Sequence, residues 1–319
     1  MNLTNNLKLL SGDASFRKFY RKKNNKKSSL VVFSKKEKKI NLLIYDGINK
    51  ILIKNKIKAP NLLSQNYDKN FIEIEDFGNL SIFKNLKKKN IKKIIIFKKV
   101  INLLVELQKI KTKEIKTFNN SKYRIPIYTK SKLLDEASLF LNWYLPKVIK
   151  KKNQNILKKK LKDIFKILLN KIKNKNNIFV HRDFHVSNLM EYKKDIAIID
   201  NQDAVYGNLA YDLASLIDDV RFKTTLKEKQ KIFSEYINFH KNLNISKFKN
   251  DFEILSVLRN LKIIGIFTRL SIRDKKNHYL KLIPNAWNLI ELRIKNNKNF
   301  SELEKVLNNN FSKEVRIFK

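Results

Sequence analysis

Cysteine is absent from this chain of 319 residues. Disulfides and thiolate metal sites are therefore excluded, and with them the class of small secreted scaffolds. Long apolar runs are also missing. Nothing approaches the roughly 18–20 residues that a membrane-spanning helix needs, and stretches such as Ile94–Phe97 are the size of a core segment. The first residues lack a basic start, an apolar stretch and a small-residue cleavage site, so no signal peptide is expected and the cytoplasm is the expected location. Glycine and proline are scarce, five and four residues, whereas Lys, Asn and Ile are enriched in every segment. That is the pattern of a biased base composition. Acidic residues are few as well: 29 Asp and Glu against 70 Lys and Arg, a formal charge of +41. Such a charge attracts polyanions at low salt. The basic residues are nevertheless spread along the chain rather than gathered in one arm, and basic–aromatic nucleic-acid motifs are absent. No specific nucleic acid and no membrane is expected as a partner, and the oligomeric state stays open.

What is there has an order. No repeat of 20–50 residues is visible. Residues 28–34, SSLVVFS, form a β-branched run, and 38–55 carry apolar residues at helical spacing. Residues 61–76 read as two strands around the turn Tyr67–Asn70, and Gly78 then breaks the pattern. Beyond it, helices are expected over 80–88, 91–110, 131–151, 154–174, 210–219, 226–240, 249–271, 277–295 and 300–309, with one β interruption at 178–200. A strand-rich piece followed by a mostly helical one is an α+β order, not the βαβα alternation of a doubly wound sheet. The expected division is 1–78 as a small strand-rich lobe and 79–319 as a large, mostly helical one.

The β interruption carries the chemistry. The apolar IFV leads into the loop HRDFHVSN, and IAIID ends on an acid. Read as two neighbouring strands, these segments deliver Asp183, Asn188 and Asp200 to one end. Mg²⁺ takes hard oxygen ligands, usually one or two carboxylates together with substrate phosphates. Asn188 and Asp200 suit that role, and Asp183 is left to accept a proton from an attacking hydroxyl. His181 to Asn188 matches the phosphotransferase spacing H-R-D-x-x-x-x-N, and Asp200 stands where the D-F-G aspartate would, within Asp-Asn-Gln-Asp. His181 and His185 lie four apart but on a loop and without H-E-x-x-H, so bracing of the loop by His181 is the better reading than a metal pair.

Four stretches, SGDASFRKFYR (11–21), IEDFGN (74–79), DEASLFLNWYLPK (135–147) and VHRDFHVSNLM…IIDNQDAVYGNLAYDLASLIDD (180–219), resemble the aminoglycoside phosphotransferase-like kinases. Within them the chain is most similar to the anomeric kinases that phosphorylate N-acetylmuramate and N-acetylglucosamine in cell-wall recycling. The resemblance implies a protein-kinase-like bilobal fold, a small β-rich N-lobe and a large, mostly helical C-lobe, with ATP, Mg²⁺ and an anomeric hydroxyl acceptor. It implies Asp183 as base and Asn188 and Asp200 as metal ligands. It places Gly12, Ser15 and Arg17 in the turn over the phosphates, and Glu75 to Gly78, Phe77 included, at a hinge beside adenine. Asn201 stands where the family usually has an aromatic, which is expected to loosen packing beneath Asp200. Asp203 has two readings, positioning of metal or sugar and capping of the following loop. The strand SLVVFS lacks the phosphate-holding Lys of protein kinases, which leaves Arg17 and Lys35 as alternatives.

The acceptor side rests on residue chemistry. Sugars stack an apolar face on an aromatic ring while carboxylates take their hydroxyls, and Glu136, Trp143 and Tyr144 suit that. Packing of the same aromatics into the helical lobe is the competing reading, and Asp212 is read as support for the catalytic loop. The sequence thus reads as an ATP-dependent small-molecule kinase, with a sugar 1-kinase as first choice. A kinase of another hydroxyl (aminoglycoside, choline, homoserine) is the alternative. A basic nucleic-acid-binding protein on a degenerate kinase scaffold is the remaining rival, against which the complete triad argues.

Overall fold

The computed structural model describes residues 7–10, 17–24, 27–88, 91–295 and 297–317. By packing, the chain divides into two units, Met1–Pro126 with Phe179–Val205, and Ile127–Ile178 with Tyr206–Lys319. The first is built on a five-stranded antiparallel sheet of β1 (Leu7–Leu9), β2 (Lys18–Asn24), β3 (Lys27–Phe33), β4 (Leu62–Asn66) and β5 (Phe71–Glu75), in the order β1-β2-β3-β5-β4. The β-branched run of β3 lies at its centre, with Val32 opposite Ile72 and Leu30 opposite Ile74. Helix α1 (Ile40–Lys54) places Leu42, Tyr45, Ile48 and Leu52 on one buried stripe, a spacing of three to four residues. Leu42 and Tyr45 close a core with Val32, Ile72 and Ile74 of the sheet. The turn between β4 and β5 is made by Asn70 at φ 60°, a conformation that asparagine tolerates better than most residues.

Helices α2 (Ile82–Leu86) and α3 (Lys93–Gln108) follow, the first capped by Ser81 Oγ, which accepts from Lys84 N at 3.3 Å. A hairpin of β6 (Glu114–Lys116) and β7 (Lys122–Arg124) was not legible in the sequence, since Ile115 is the one buried residue of β6. A β-carbon on Gly47 would come within 2.3 Å of the Ile115 side chain, so α1 carries its glycine where this hairpin leans on it. The remaining strands of the unit correct one expectation. The strand Asp195–Ile198 pairs with Leu189–Tyr192, with Met190 opposite Ala197, whereas the IFV segment, within Asn176–Val180, belongs to a different two-stranded sheet.

The second unit is helical, and its longest element is the helix Ile245–Asp274. That helix is buried on nearly every side over its middle, polar residues such as Asp251, Ser256 and Asn260 included, as befits one packed by neighbours around its circumference. Gly265 is where a neighbour comes closest: a β-carbon there would lie 2.3 Å from the backbone carbon of Leu139. The helix expected over 131–151 is three pieces, Lys130–Leu139, a π turn at Phe140–Tyr144 and Leu145–Val148. Pro146 supplies the reason, because it cannot donate to the preceding turn and its ring crowds the carbonyl four residues back. Two buried carboxylates organise the rest. Asp251 accepts from the Lys173 and Asn174 backbone N–H groups, each at 2.8 Å, and from Asn208 Nδ2 at 2.9 Å. Asp218 receives Lys229 at 3.0 Å, Ser256 Oγ at 2.6 Å and Arg293 at 2.8 Å. Burial opposes charge on Asp218, yet Arg293 and Lys229 outweigh it and hold its pKa down to about 2. Among the described residues, no helix is long and apolar enough to cross a membrane.

Candidate active site

The first unit contains the loop His181–Asn188 and Asp200. His181 is fully buried and acts as a brace. Its Nε2 lies 3.1 Å from the Ile199 carbonyl oxygen and 2.9 Å from Asn201 Oδ1, while the Asp183 N–H donates to its Nδ1 at 3.3 Å. Two acceptors at Nε2 and a donor at Nδ1 select the neutral tautomer with its proton on Nε2. Asn188 Nδ2 donates to the Asp183 carbonyl oxygen at 3.1 Å, and Ile199 N donates to the Asn188 carbonyl oxygen at 3.0 Å. These bonds stitch the loop to the segment that carries Asp200. Arg182 and Asp200 both have left-handed backbones, φ 75° and 67°. Side chains tolerate that conformation at a cost, and such strain gathers at sites whose surroundings hold it in place.

Asn188 and Asp200 line one cavity of about 390 Å³. Leu30 and Ile74 of the sheet line it too, as do Met190 and Ile199. Phe77 clusters with Met190 and Ala197, and its ring lies 4.7 Å from that of Tyr192. An apolar slot of this kind takes a flat aromatic ring, with polar groups at the rim fixing its orientation. Glu75, Asp76 and Gly78 form part of the lining. Gly78 has φ +81°, the left-handed turn that glycine adopts without steric cost. Arg21 ties β2 to this segment, its Nη2 donating to Asp76 Oδ1 at 2.9 Å and to the Gly78 carbonyl oxygen at 3.0 Å. Burial opposes charge on Asp76, but Arg21, Ser28 and the Gly78 N–H together hold its carboxyl below the usual range.

Arg17 meets Asp200 directly. Nη2 is 2.5 Å from Asp200 Oδ1, and Nη1 donates to Gln202 Oε1 at 2.8 Å. The Arg17 side chain is 3% exposed against 39% for Asp200. Its guanidinium lies 5.5 Å from the Phe19 ring and 5.4 Å from the Tyr45 ring. Burial, with Asp200 adding to it, pushes the Tyr45 hydroxyl up to about 12 against the pull of Arg17, so it stays neutral. Lys35, the other cation considered for the phosphates, is exposed. Asn201, expected to loosen the packing, is instead a fully buried polar link: its Nδ2 donates to Asn49 Oδ1 of α1 at 2.8 Å and to the Ile198 carbonyl oxygen at 3.2 Å. Tyr45, Asn49 and Gln202 were not foreseen as part of this arrangement. On α1 the first two carry only the signal of a core stripe.

Gly12 and Ser15 lie outside the described residues. Asp203 is exposed and accepts from Gln202 Nε2 at 2.8 Å, and its backbone oxygen takes Arg182 Nη1 at 3.3 Å. In the second unit, Tyr144 is fully buried among Phe140, Trp287 and Phe311, with its hydroxyl donating to the Val315 carbonyl oxygen at 2.8 Å. Trp143 is half-buried. Glu136 is buried and bonded to the Tyr128 hydroxyl and to Lys262 at 2.6 Å. Asp212 is fully buried.

Residues 6–237 match the phosphotransferase enzyme family, APH. The chain belongs to that family. Its match runs from β1 into the helix Leu226–Asn238, so it takes in the sheet, the loop His181–Asn188 and Asp200. Over 296 residues the chain is 27% identical to the N-acetylmuramate/N-acetylglucosamine kinase of Neisseria meningitidis serogroup B, covering 89% of this chain and 84% of that one. It is 25% identical to the kinase of the same name from Pseudomonas aeruginosa, over 93% of this chain and 86% of that one. The crystal structure of the ADP-bound aminoglycoside phosphotransferase APH(2'')-Ib is similar with a TM-score of 0.61 at 17% identity, covering 90% of this chain and 92% of that one. The phosphotransferase fold, protein-kinase-like with an antiparallel sheet and a mostly helical remainder, is therefore established. As a member of this family the protein is an ATP-dependent kinase that transfers a phosphoryl group to a hydroxyl of a small molecule.

Proposed function

We propose that the acceptor is the anomeric hydroxyl of an N-acetylated amino sugar, N-acetylmuramate or N-acetylglucosamine, and that the product is the sugar 1-phosphate. The relatives' names support the sugar. The observation that carries the chemistry is the common cavity of Asn188 and Asp200, with Asp183 bonded through its backbone to Asn188. In this reading Asp183 accepts the proton of the anomeric hydroxyl. That oxygen forms the new bond to the γ-phosphorus, the bond from γ-phosphorus to the bridging oxygen breaks, and ADP leaves with the bond's electrons.

Asn188 and Asp200 fit a magnesium ion. One carboxylate and one amide oxygen are hard donors, and a protein set this small suits an ion that takes its other oxygens from phosphates and water. The Asn188 amide nitrogen is already committed to the Asp183 carbonyl oxygen, which leaves the amide oxygen as the ligand end. When bound, the metal would supply charge neutralisation at the phosphates. Arg17 is the favoured cation beside it, because it sits at Asp200 with a restricted side chain, whereas Lys35 is exposed. The apolar slot between Leu30, Ile74, Met190 and Ile199 would hold the adenine, with Glu75 and Phe77 at its edge. Gly12 and Ser15 would cover the phosphates. The lobes proposed are 1–78 for nucleotide binding and 79–319 for catalysis and acceptor binding. The cytoplasm, where ATP is supplied, is the proposed location, in a pathway that recycles cell-wall sugars, with neither a specific nucleic acid nor a membrane as partner.

The test is an acceptor panel. ADP release with ATP and Mg²⁺ is measured against N-acetylmuramate, N-acetylglucosamine, an aminoglycoside, choline and homoserine, and the product is examined by phosphorus NMR. Turnover of a sugar to an acid-labile 1-phosphate is expected. Turnover of an amino alcohol without turnover of either sugar would sink the reading.

A further inference from the structure

Gln202 is buried between two opposite charges. Its Oε1 accepts from Arg17 Nη1 at 2.8 Å, and its Nε2 donates to Asp203 Oδ2 at 2.8 Å. A guanidinium offers only donors and a carboxylate only acceptors. Turning the amide over would set its NH₂ against Arg17 and its oxygen against Asp203, and both bonds would be lost. The two neighbours therefore fix the amide in one orientation, and that orientation is what gives Arg17 its acceptor. Asp203 is held in turn from its other side. Arg182 Nη1 lies 3.7 Å from Asp203 Oδ1 and donates to the Asp203 backbone oxygen at 3.3 Å. Asp200, Arg17, Gln202, Asp203 and Arg182 thus form one continuous polar chain, and all of them belong to the first unit.

The bond to Gln202 bears on how Arg17 is aimed. Asp200 holds Nη2 at 2.5 Å, and the Phe19 and Tyr45 rings lie 5.5 and 5.4 Å from the guanidinium. A bond from Nη2 to Asp200 alone would let the planar group pivot about that contact. The second bond, from Nη1 to Gln202, opposes the pivot. A donor fixed before its ligand arrives loses less freedom on binding.

We propose that Asp203 is a positioning residue: by fixing the Gln202 amide it aims Arg17 at the phosphates of the nucleotide. Asp203 itself contacts neither metal nor acceptor. This deepens the kinase reading, and it rests on Arg17 as the cation beside the phosphates.

The test reads nucleotide affinity without an acceptor, so the identity of the sugar does not enter. Binding of AMP-PNP with Mg²⁺, and of adenosine, is measured by calorimetry. The proteins are wild type, Asp203→Ala, Asp203→Asn, Gln202→Leu, the double variant Asp203→Ala with Gln202→Leu, and Arg17→Met. A hydrogen bond to a charged group corresponds to roughly 10–100-fold in affinity, and the low end, about 10-fold in Kd for AMP-PNP, is expected for Asp203→Ala and for Gln202→Leu. The double variant should be no weaker than either, because both changes remove the same constraint. Asp203→Asn keeps an acceptor for the Gln202 amide and should recover most of the loss. Adenosine has no phosphate, so its Kd should not move. A parallel rise for adenosine would mean a general disturbance of the slot. Additive losses in the double variant would mean that Asp203 acts otherwise than through Gln202. An Asn variant as weak as the Ala variant would mean that the charge matters and the orientation of the amide does not. Each of these overturns the proposal. So does an unchanged Kd for AMP-PNP in Asp203→Ala, and a raised acceptor KM beside it would place Asp203 at the acceptor. Arg17→Met separates the proposal from the reading beneath it. No loss of AMP-PNP affinity there removes Arg17 from the phosphates and the proposal with it; a loss there without one in Asp203→Ala removes the proposal alone. The Asp203 side chain is 52% exposed, so its two variants carry the test if Gln202→Leu does not fold.

Discussion

At the residue scale, the loop around Asp183 is held through its backbone. Asn188 bonds the Asp183 carbonyl oxygen and His181 receives the Asp183 N–H, so neither contact involves the carboxylate. Asp183→Asn should therefore leave the loop in place and nucleotide affinity intact, while removing the proposed proton acceptor. Base catalysis contributes roughly 10²–10⁴-fold, and an anomeric hydroxyl is more acidic than an ordinary alcohol, so a loss in the lower half of that range is expected for kcat. Wild-type kcat in the purified variant would remove Asp183 from the reaction, and lost ATP binding would make it a nucleotide-site residue. Asp200 differs, because it pairs with Arg17 in addition to its proposed role as a metal ligand. Asp200→Ala should abolish Mg²⁺-dependent turnover and also strand Arg17, whose side chain is 3% exposed. The stranded charge should cost about 2 kcal/mol in urea unfolding. Adding Arg17→Met should restore most of that stability and none of the turnover. A double variant no more stable than Asp200→Ala would show that the ion pair is not what Asp200 contributes to folding.

At the element scale, two helices meet at a glycine. The contact of Gly265 with Leu139 is backbone against side-chain space, so no rotamer change relieves an added methyl. Overpacking typically costs 1–3 kcal/mol, and Gly265→Ala should reach about the top of that range in spite of alanine's better helix propensity. Equal or greater stability in chemical denaturation would show that the helices can separate at no cost. The end of Tyr211–Ile217 depends on charge instead. Asp218 has its pKa depressed from 3.8 to about 2 by Arg293 and Lys229 against the effect of burial. A depressed carboxylate stabilises the fold above its unfolded pKa, and that contribution is lost as pH falls toward the folded one. Wild type should thus lose on the order of 2 kcal/mol between about pH 4 and pH 2 through this group. Asp218→Asn should be less stable at neutral pH and flatter across that window. Identical slopes in acid titrations of the two proteins would rule out Asp218 as the group responsible.

At the scale of the whole molecule, the charge of +41 is the most conspicuous property, and it is expected to be the least important for turnover. Helix Lys151–Asn170 buries Leu157, Leu161, Ile164, Phe165, Leu168 and Leu169, and Lys151, Lys152, Lys159 and Lys160 are exposed. Exposed charges are screened over roughly 8 Å at physiological salt. Replacing those four lysines with Gln should leave kcat for a small acceptor unchanged and weaken non-specific polynucleotide binding. A large fall in kcat with folding preserved would give the charge a role in catalysis.

The sequence by itself determined the elements with strong periodicity or strong spacing. Helices at 40–54, 93–108 and 245–274 and the paired strands 62–66 and 71–75 were legible because their apolar residues repeat at 3.6 or 2. Asp183, Asn188 and Asp200 stood out as candidates because they match the spacing of a phosphoryl-transfer motif, and the structure brings Asn188 and Asp200 to one cavity. Tertiary structure decided what depends on residues distant in sequence. It paired Asp195–Ile198 with Leu189–Tyr192, since strand partners follow from packing of faces and not from the order of apolar runs. It put Tyr144 into an aromatic core, where burial of a large ring outweighs exposure. It set Arg17 against Asp200, 183 residues away, and stacked it beside Tyr45. A buried guanidinium needs a carboxylate within reach, and only the folded chain determines which one that is.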